Sequence, residues 1–299
     1  MFGPPDADSP FHAGELAAQA RIGARDVGRW APKAIRPYMP DQHRDFFRAL
    51  PFVALAARDG AGRPWATLLA GPPGFVDSPD PQTLDLAAAP GAGDSLEGAI
   101  QAGADVGLLG IDFATRRRNR VNGRVAGADG RGFRLAVRQS FGNCPQHIRV
   151  RDWRPDLRAA SAPARRASAL SPEDVALVRA ADTFFVASGH PGAGDARSDG
   201  LDVSHRGGDP GFVRVERPDR IVFADLAGNK FYNTVGNLMV DPQVALLFVD
   251  FATGALLQIA GRAEIRWDAL ELASIPRAEA ITSRGSPPGG HPPARPRRG

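Results

Sequence analysis

Short runs of apolar residues, separated by turn residues, recur along most of this chain. Residues 221–226 (IVFADL) and 244–251 (VALLFVDF) are rich in Val, Ile and Phe, as β-strands are. Between them, residues 228–242 begin with a glycine turn and continue with a short helical pattern that ends at Asp241-Pro242. This part of the chain therefore predicts a strand, a polar turn, a helix and a second strand.

The first half of the chain has the same kind of pattern. Residues 41–50 begin with Asp41, which can cap a helix whose Phe46 and Phe47 face a core. Residues 51–71 are two strand-like runs around a Gly-rich turn and predict a hairpin. Further strand-like runs are residues 83–88, 105–113, 118–127 and 132–141, and residues 94–103 predict a short helix. Many short strands at turn-punctuated intervals are typical of a barrel.

Two segments of the first half recur in the second half, in the same order. GPPGFV at 71–76 matches GDPGFV at 208–213. IDFATRRRNRVNGRV at 111–125 matches VDFATGALLQIAGRA at 249–263, and the separation along the chain is nearly the same for both pairs. Two independent matches at nearly one offset indicate an internal duplication.

Changes in composition divide the chain into parts. A stretch rich in Ala, Pro, Ser and Arg separates the two copies, as a linker does. Ser171-Pro172 then begins a helix with acidic residues in its first turn, and residues 14–28 predict one helix near the N-terminus. The predicted parts are an N-terminal arm (1–40), a first barrel (41–153), a linker (154–170), a second barrel (171–275) and a disordered tail (276–299).

Composition excludes a few classes of protein. The chain has 299 residues, 43% hydrophobic residues and a formal net charge of +4, which are ordinary values for a globular protein of about two domains. Lys33 and Lys230 are the only lysines, so the high pI reflects an Arg bias and nucleic-acid binding is not expected. The single cysteine, Cys144, excludes an internal disulfide and fits a reducing cytoplasm. No apolar run approaches the length that a membrane-spanning helix needs, so we expect no membrane span.

The polar turn before the helix at 233–240 carries candidate ligand-binding residues. Lys230 supplies a cation, and Asn233, Thr234 and Asn237 lie on one helical face. Free backbone amides and the helix dipole at such a start favour an anion, so the pattern suits a phosphate. A capping Asn or Thr beside a solvated Lys explains the same residues equally well.

Longer stretches resemble a known family. GLDVSHRGGDPGFVRV (200–215), GNKFYNTVGNL (228–238) and PQVALLFVDFATGALLQIAGRAEI (242–265) are similar to the FMN-binding split-barrel proteins related to pyridoxamine 5'-phosphate oxidase. LLGIDFATRRRNRVNGRV (108–125) and RQSFGNCPQHI (138–148) resemble a subgroup with two such barrels in one chain. The fold class expected from the resemblance is mainly β, with two tandem split barrels and a few helices. The two barrels would pair within the chain as a pseudo-dimer, and a further homodimer stays open.

The resemblance also implies where a flavin would lie, because in this family it sits between two barrels. One strand would run along the flavin ring, one polar turn would hold the ribityl phosphate, and the first copy would contribute across the interface. The strand residues are Asp202, Val203, Ser204, His205, Arg206 and Gly207. The phosphate residues are Lys230, Asn233, Thr234 and Asn237, and the residues of the first copy are Gln139, Ser140 and Asn143 together with Cys144.

Each of these assignments has a structural alternative. Asn and Ser near residue 140 also suit a strand end followed by a turn, and Cys144 suits a small buried apolar residue. His205 suits a hydrogen-bonded structural histidine. The arginine run at 116–124 suits a solvated basic face. Its counterparts in the second copy keep only Arg262, however, and this asymmetry favours one anion-facing strand and one packing strand.

The sequence contains no motif of the common metalloprotease, NTPase, hydrolase or Rossmann classes. The resemblance therefore carries the functional prediction, which is an FMN-binding flavoprotein acting as an oxidoreductase with NAD(P)H or a partner reductase as electron donor. The sequence does not identify the physiological substrate. A flavin-binding module or sensor without turnover, or a protein that holds heme or a deazaflavin, is the alternative.

Overall fold

The computed structural model describes residues 9–24, 26–153, 156, 163–190, 196–226 and 228–267. Within these ranges the chain is mainly β, as predicted, with a few flanking helices. The helices are α1 (Ala13–Arg21), α2 (Val27–Ala34), α3 (Asp41–Ala49), α4 (Pro172–Ala180) and α5 (Asn233–Val240). In the described part of the chain, no helix has the length and the apolar character required to cross a bilayer.

The first half forms a seven-stranded antiparallel sheet in the order β2-β1-β5-β6-β7-β4-β3. The predicted hairpin is confirmed, because β1 and β2 pair from Phe52↔Ala70 to Arg58↔Pro64. Its strands are β1 (Phe52–Arg58), β2 (Pro64–Ala70), β3 (Val76–Asp77), β4 (Thr83–Leu86), β5 (Asp105–Asp112), β6 (Arg117–Ala128) and β7 (Phe133–Asn143). β7 pairs with β6 on one edge and with β4 on the other, so it joins the two parts of the sheet.

The second half forms a four-stranded sheet and a separate hairpin. Its strands are β8 (Thr183–His190), β9 (Gly200–Gly207), β10 (Val213–Arg217), β11 (Arg220–Phe223), β12 (Gln243–Val249) and β13 (Leu256–Arg262). The sheet has the order β13-β12-β8-β9, and β10 pairs with β11. Read from β9, this order corresponds to β2-β1-β5-β6 of the first half, and α4 precedes β8 as α3 precedes β1.

Three apolar cores follow from the alternation of side chains along these strands. One lies inside the first sheet, where Leu55, Leu108 and Val121 are fully buried. Another lies inside the second sheet around Phe184 and Phe248. The third lies between the two sheets and is built from opposite faces of the same strands. It includes Phe52, Ala54, Leu109, Phe185, Val203 and Leu247.

The N-terminal segment packs on both halves. Phe11, Ile35 and Phe141 form a small core with Phe231, which precedes α5. Arg36 also makes a backbone bridge to Ser140 of β7. Residues 9–40 therefore lie against the predicted candidate site. The domain boundaries stay predictions, because residues 154–155, 157–162 and 268–299 of the predicted linker, second barrel and tail lie outside the described residues.

Several local predictions can be compared with the structure. The helix starting at Ser171-Pro172 is confirmed, with reciprocal hydrogen bonds between Ser171 and Asp174. The predicted single helix at 14–28 is wrong, because Gly23 adopts a left-handed φ of 76° and separates α1 from α2. The predicted helix at 94–103 is wrong, because this Gly-containing stretch forms only turns. Asp41 is the first residue of α3 and does not cap it.

Candidate functional site

The strand predicted to follow the flavin, β9, lies at the edge of the second sheet and against β5 and β6 of the first. Its side chains alternate between two environments. Val203 points into the apolar core between the sheets. Asp202 and Ser204 are buried on the other face, where they meet polar side chains of β6 and α5.

Arg120 of β6 holds that polar face together. Its guanidinium donates to Asp202 Oδ1 at 3.0 Å, to Asn233 Oδ1 at 3.2 Å and to Ser204 Oγ at 2.6 Å. Arg120 is only 4% exposed, so these partners replace the water that its two terminal nitrogens lose on burial. Arg120 therefore ties β6 of the first half to β9 and α5 of the second.

Two residues of the N-terminal segment complete the network. His12 caps α1 by accepting a hydrogen bond from Gly14 N through Nδ1, so the proton lies on Nε2, which donates to Asn237 Oδ1 at 2.8 Å. Glu15 accepts a hydrogen bond from the side-chain amide of Asn233. The amide of Asn237 also donates to Asp202 Oδ2 at 2.8 Å. The side chains of Asn233 and Asn237 thus have partners for both their oxygen and their nitrogen.

A close crossing of α1 and α5 makes these contacts possible. A Cβ atom on Gly14 would lie 2.3 Å from the carbonyl oxygen of Gly236, and one on Gly236 would lie 2.5 Å from Glu15 Cα. Only glycine allows the two helix backbones to approach this closely. The Gly14–Gly236 contact therefore fixes how deeply Glu15 and His12 reach into the network.

A small cavity lies beside this network, with a volume of about 90 Å³. Arg118 of β6 donates from its guanidinium to His205 Nδ1 at 2.9 Å. Arg206 forms an ion pair with Asp225 at 2.7 Å. Lys230, which is exposed and has a left-handed φ of 61°, lies on the turn before α5 and also lines the cavity.

The cavity has an excess of positive charge. Burial, followed by repulsion from Arg206 and Arg120, lowers the pKa of Arg118 to about 10. Burial and the nearby Arg118 and Arg206 also lower the pKa of His205 well below 6.5, so His205 is neutral at pH 7. Burial raises the pKa of Glu15 well above 4.5, with a further contribution from Asp202.

Formal charges can be assigned to the side chains that line the cavity or contact its arginines. The positive ones are Arg118, Arg120, Arg206 and Lys230, and the negative ones are Asp202 and Asp225. Four positive charges against two negative charges leave an excess of two. An excess of this kind is unfavourable by itself, because like charges repel, and most strongly around the buried Arg120. An anion would relieve it.

The structure brings most of the predicted site residues to the cavity. Those that line it are Asn143, Ser204, His205, Arg206, Gly207, Lys230, Asn233 and Thr234. The others lie elsewhere. Asp202 and Asn237 belong to the Arg120 network, Val203 lies in the core between the sheets, Gln139 donates to Pro10 O at 2.8 Å, and Ser140 contacts His43 at 2.9 Å. Cys144 is a partly buried free thiol.

Sequence reasoning missed four residues of this region or gave them no definite role. Arg118 and Arg120 were placed in a run whose alternative was a solvated basic face, but Arg120 is buried and Arg118 is partly buried. The signal was available, since their alternate spacing puts both on one face of β6. His12 and Glu15 gave no signal, because their partners lie on α5, in the other half of the chain.

Comparison with protein families matches residues 39–179 to the model for pyridoxamine 5'-phosphate oxidase. This stretch belongs to the pyridoxamine 5'-phosphate oxidase-related family. It covers the first sheet with Arg118, Arg120 and Asn143, whereas β9 and α5 lie beyond it. Proteins of this family typically bind a flavin. A search of the curated proteins found no match.

Proposed function

We propose that this protein binds FMN non-covalently, with the phosphate in the cavity between β6, β9 and the start of α5. The observation that carries the proposal is the excess of two positive charges at the cavity. A phosphate monoester has a charge of about −1.5 to −2 at pH 7 and three acceptor oxygens, so it offsets this excess.

Three side chains are the proposed phosphate ligands. Arg118 and Arg206 offer guanidinium donors from neighbouring strands, and Lys230 offers an ammonium group at the cavity mouth. Asn233 and Asn237 hold α5 in place through the Arg120 network and do not act as direct ligands. This assignment narrows the set expected from the family resemblance.

The size of the cavity limits what it can hold. A volume of about 90 Å³ accommodates a phosphate group but not a whole flavin. Arg206, Tyr232 and Thr234 line both this cavity and a larger adjoining cleft. We therefore propose that the ribityl chain leaves the cavity past Tyr232 and Thr234, so that the flavin ring lies outside it.

We also propose that the second half is a second split barrel derived by duplication, so that one chain forms a pseudo-dimer. The two sequence matches at nearly one offset and the corresponding strand orders support this reading. The apolar core between the sheets, with Phe52 facing the second half and Phe185 facing the first, is the surface through which the two barrels would pair.

A bound FMN would supply hydride or electron transfer, and this chain would supply its binding and its electrostatic environment. We propose an oxidoreductase in a reducing compartment such as the cytoplasm, with NAD(P)H or a partner reductase as electron donor. Catalytic NAD(P)H oxidation by the purified holoprotein would support turnover. A holoprotein that binds FMN but oxidises no NAD(P)H, alone or with a reductase, would instead be a flavin carrier or sensor.

The binding test compares FMN with riboflavin, which lacks the phosphate. Lys230→Ala should weaken FMN binding about tenfold, the effect of removing one charge-assisted hydrogen bond, while riboflavin affinity changes little. Lys33→Ala is the matched control, because Lys33 is the other lysine and lies exposed on α2. Equal losses for FMN and riboflavin would refute the role of Lys230, and no binding of either would refute the proposal.

A further inference from the structure

The turn before α5 has a backbone conformation that ordinary residues rarely adopt. Lys230 and Tyr232 have left-handed φ values of 61° and 58°, although neither is glycine. This conformation is less favourable than the common ones for a residue with a Cβ atom, so contacts around the turn have to hold it. Phe231 lies between these two residues, and its contacts are therefore the ones that can hold the turn.

The side chain of Phe231 is buried among aromatic rings. Phe231 is only 2% exposed and packs against the N-terminal segment and β7. Its ring centroid lies 5.8 Å from that of Phe11, 5.2 Å from that of Trp30 and 5.6 Å from that of Phe141. Aromatic pairs at such separations attract each other beyond the effect of the area that they bury. Phe231 is therefore an apolar anchor for the turn.

The backbone of Phe231 is held as well. Gln19 of α1 is 3% exposed and donates from Nε2 to Phe231 O at 3.0 Å. Phe231 N donates to Asn229 Oδ1 at 3.1 Å, and the side-chain amide of Asn229 donates to Asn143 Oδ1 at 3.4 Å. Both the N–H and the C=O of Phe231 thus have partners, and the partner of the C=O comes from the N-terminal segment.

The neighbours of Phe231 face the other way. Lys230 and Tyr232 both line the cavity, whereas Phe231 does not. Burial of Phe231 in the aromatic cluster therefore places the exposed Lys230 at the mouth of the cavity. If Phe231 lost its contacts, the turn could relax to more favourable φ values, and the Lys230 ammonium would leave that position.

We propose that Phe231 is a positioning residue for the phosphate, and that the N-terminal segment acts on the cavity through it. The inference rests on the proposed function, in which Lys230 binds the phosphate. Phe231 contributes no atom to the ligand. Held by α1, α2 and β7, it keeps the turn in the conformation that presents the Lys230 ammonium. Affinity for a phosphorylated ligand is thereby coupled to the packing of residues 9–40 on the two halves.

Titrations of the full chain with FMN and riboflavin test this coupling. Phe231→Ala should weaken FMN binding by up to about tenfold, the loss expected for Lys230→Ala, because the ammonium then occupies the cavity mouth in only a fraction of the molecules. Riboflavin binding should change little. Phe133→Ala is the matched control, because it makes the same change in the core of the first sheet, at the opposite end of β7 from Asn143. It should leave the ratio of FMN to riboflavin affinity unchanged.

A double variant separates positioning from a general loss of structure. If Phe231 acts through Lys230, Phe231→Ala should weaken FMN binding by less than about twofold in a protein that already carries Lys230→Ala. Gln19→Met tests the same coupling without opening a void among the aromatic rings. It removes the hydrogen bond to Phe231 O and should weaken FMN binding about two- to tenfold. Should Phe231→Ala fail to fold, Gln19→Met, alone and combined with Lys230→Ala, decides in its place.

The outcomes distinguish this inference from the proposed function. Equal weakening of FMN and riboflavin by Lys230→Ala would refute the phosphate role of Lys230, and the inference would fall with it. Suppose instead that Lys230→Ala selectively weakens FMN. The inference alone is then overturned if Phe231→Ala and Gln19→Met leave the ratio of FMN to riboflavin affinity unchanged, or if their losses add fully to that of Lys230→Ala.

Discussion

Arg118 should destabilise the protein without ligand and strengthen the binding of a phosphorylated ligand. Burial and the neighbouring arginines lower its pKa to about 10. At about 1.4 kcal/mol per unit, keeping Arg118 charged in the folded protein costs roughly 3 kcal/mol. A lowered pKa of a basic group means that the charged form is less favourable folded than unfolded, so the cost is present at all pH values well below 10.

The change Arg118→Leu removes this cost and copies Leu256, the corresponding residue in the second half. The lost hydrogen bond to His205 offsets part of the gain, so the free energy of unfolding without ligand should rise by about 1 to 2 kcal/mol. FMN binding should weaken about 10- to 100-fold, because a charge-assisted hydrogen bond contributes about 1.5 to 3 kcal/mol. Riboflavin binding should stay nearly constant.

Urea unfolding at pH 7 without ligand and titrations with the two flavins measure these effects. Arg117→Leu is the matched control, because Arg117 is the adjacent residue on β6, is exposed, and packs over Phe46 away from the cavity. Arg117→Leu should leave the ratio of FMN to riboflavin affinity unchanged. It should alter the free energy of unfolding by less than about 1 kcal/mol. A less stable Arg118→Leu protein, or equal losses of both flavins, would refute the electrostatic reasoning.

Three further predictions concern the network and its surroundings. The raised pKa of Glu15 means that its contribution to the free energy of unfolding is complete below about pH 4.5 and is lost as the pH rises above that value. In urea unfolding across this range, the stability of Glu15→Gln should therefore depend less on pH than that of the wild-type protein. Identical pH dependence of the two proteins would contradict this. Burial lowers the pKa of His12 and of His43 to about 4, so stability should fall as the pH drops from 6.5 to 4, and NMR titration of both rings should give midpoints near 4 and not near 6.5. Gly236→Ala should lower the free energy of unfolding by about 1 to 3 kcal/mol through its clash with α1, whereas Gly127→Ala, where a Cβ has open space, should cost less than about 1 kcal/mol.

The strands were predictable because they are local patterns. Alternating apolar residues predicted the β1–β2 hairpin and the strands around Leu108 and Leu247, and the structure confirms them. The helix at 171–180 was predictable from its capping residues. The break between α1 and α2 depends on a left-handed glycine, and Gly23 gave no sign of its conformation in a helical pattern.

The polar network was less predictable, because its contacts join distant parts of the chain. The pattern at 233–237 showed a polar helix face but not what it faces. The hydrogen bonds of Asn233 to Glu15 and to Arg120 span 218 and 113 residues. Such pairings are set by the packing of α1 and the two sheets, which no local spacing encodes. The apolar runs located the strands, whereas the charges around the cavity come together only in the folded chain.

The apolar core between the two sheets has a consequence for how the protein can change. In a symmetric homodimer, one substitution alters both halves of an interface at once. Here the facing sheets belong to one chain, so each position can vary separately. Arg120 and Gln258 occupy corresponding positions, and one holds the buried network while the other donates to Ala66 O and Asp94. Because both sheets belong to one chain, β6 can carry the buried Arg120 while β13 carries the uncharged Gln258 at the corresponding position.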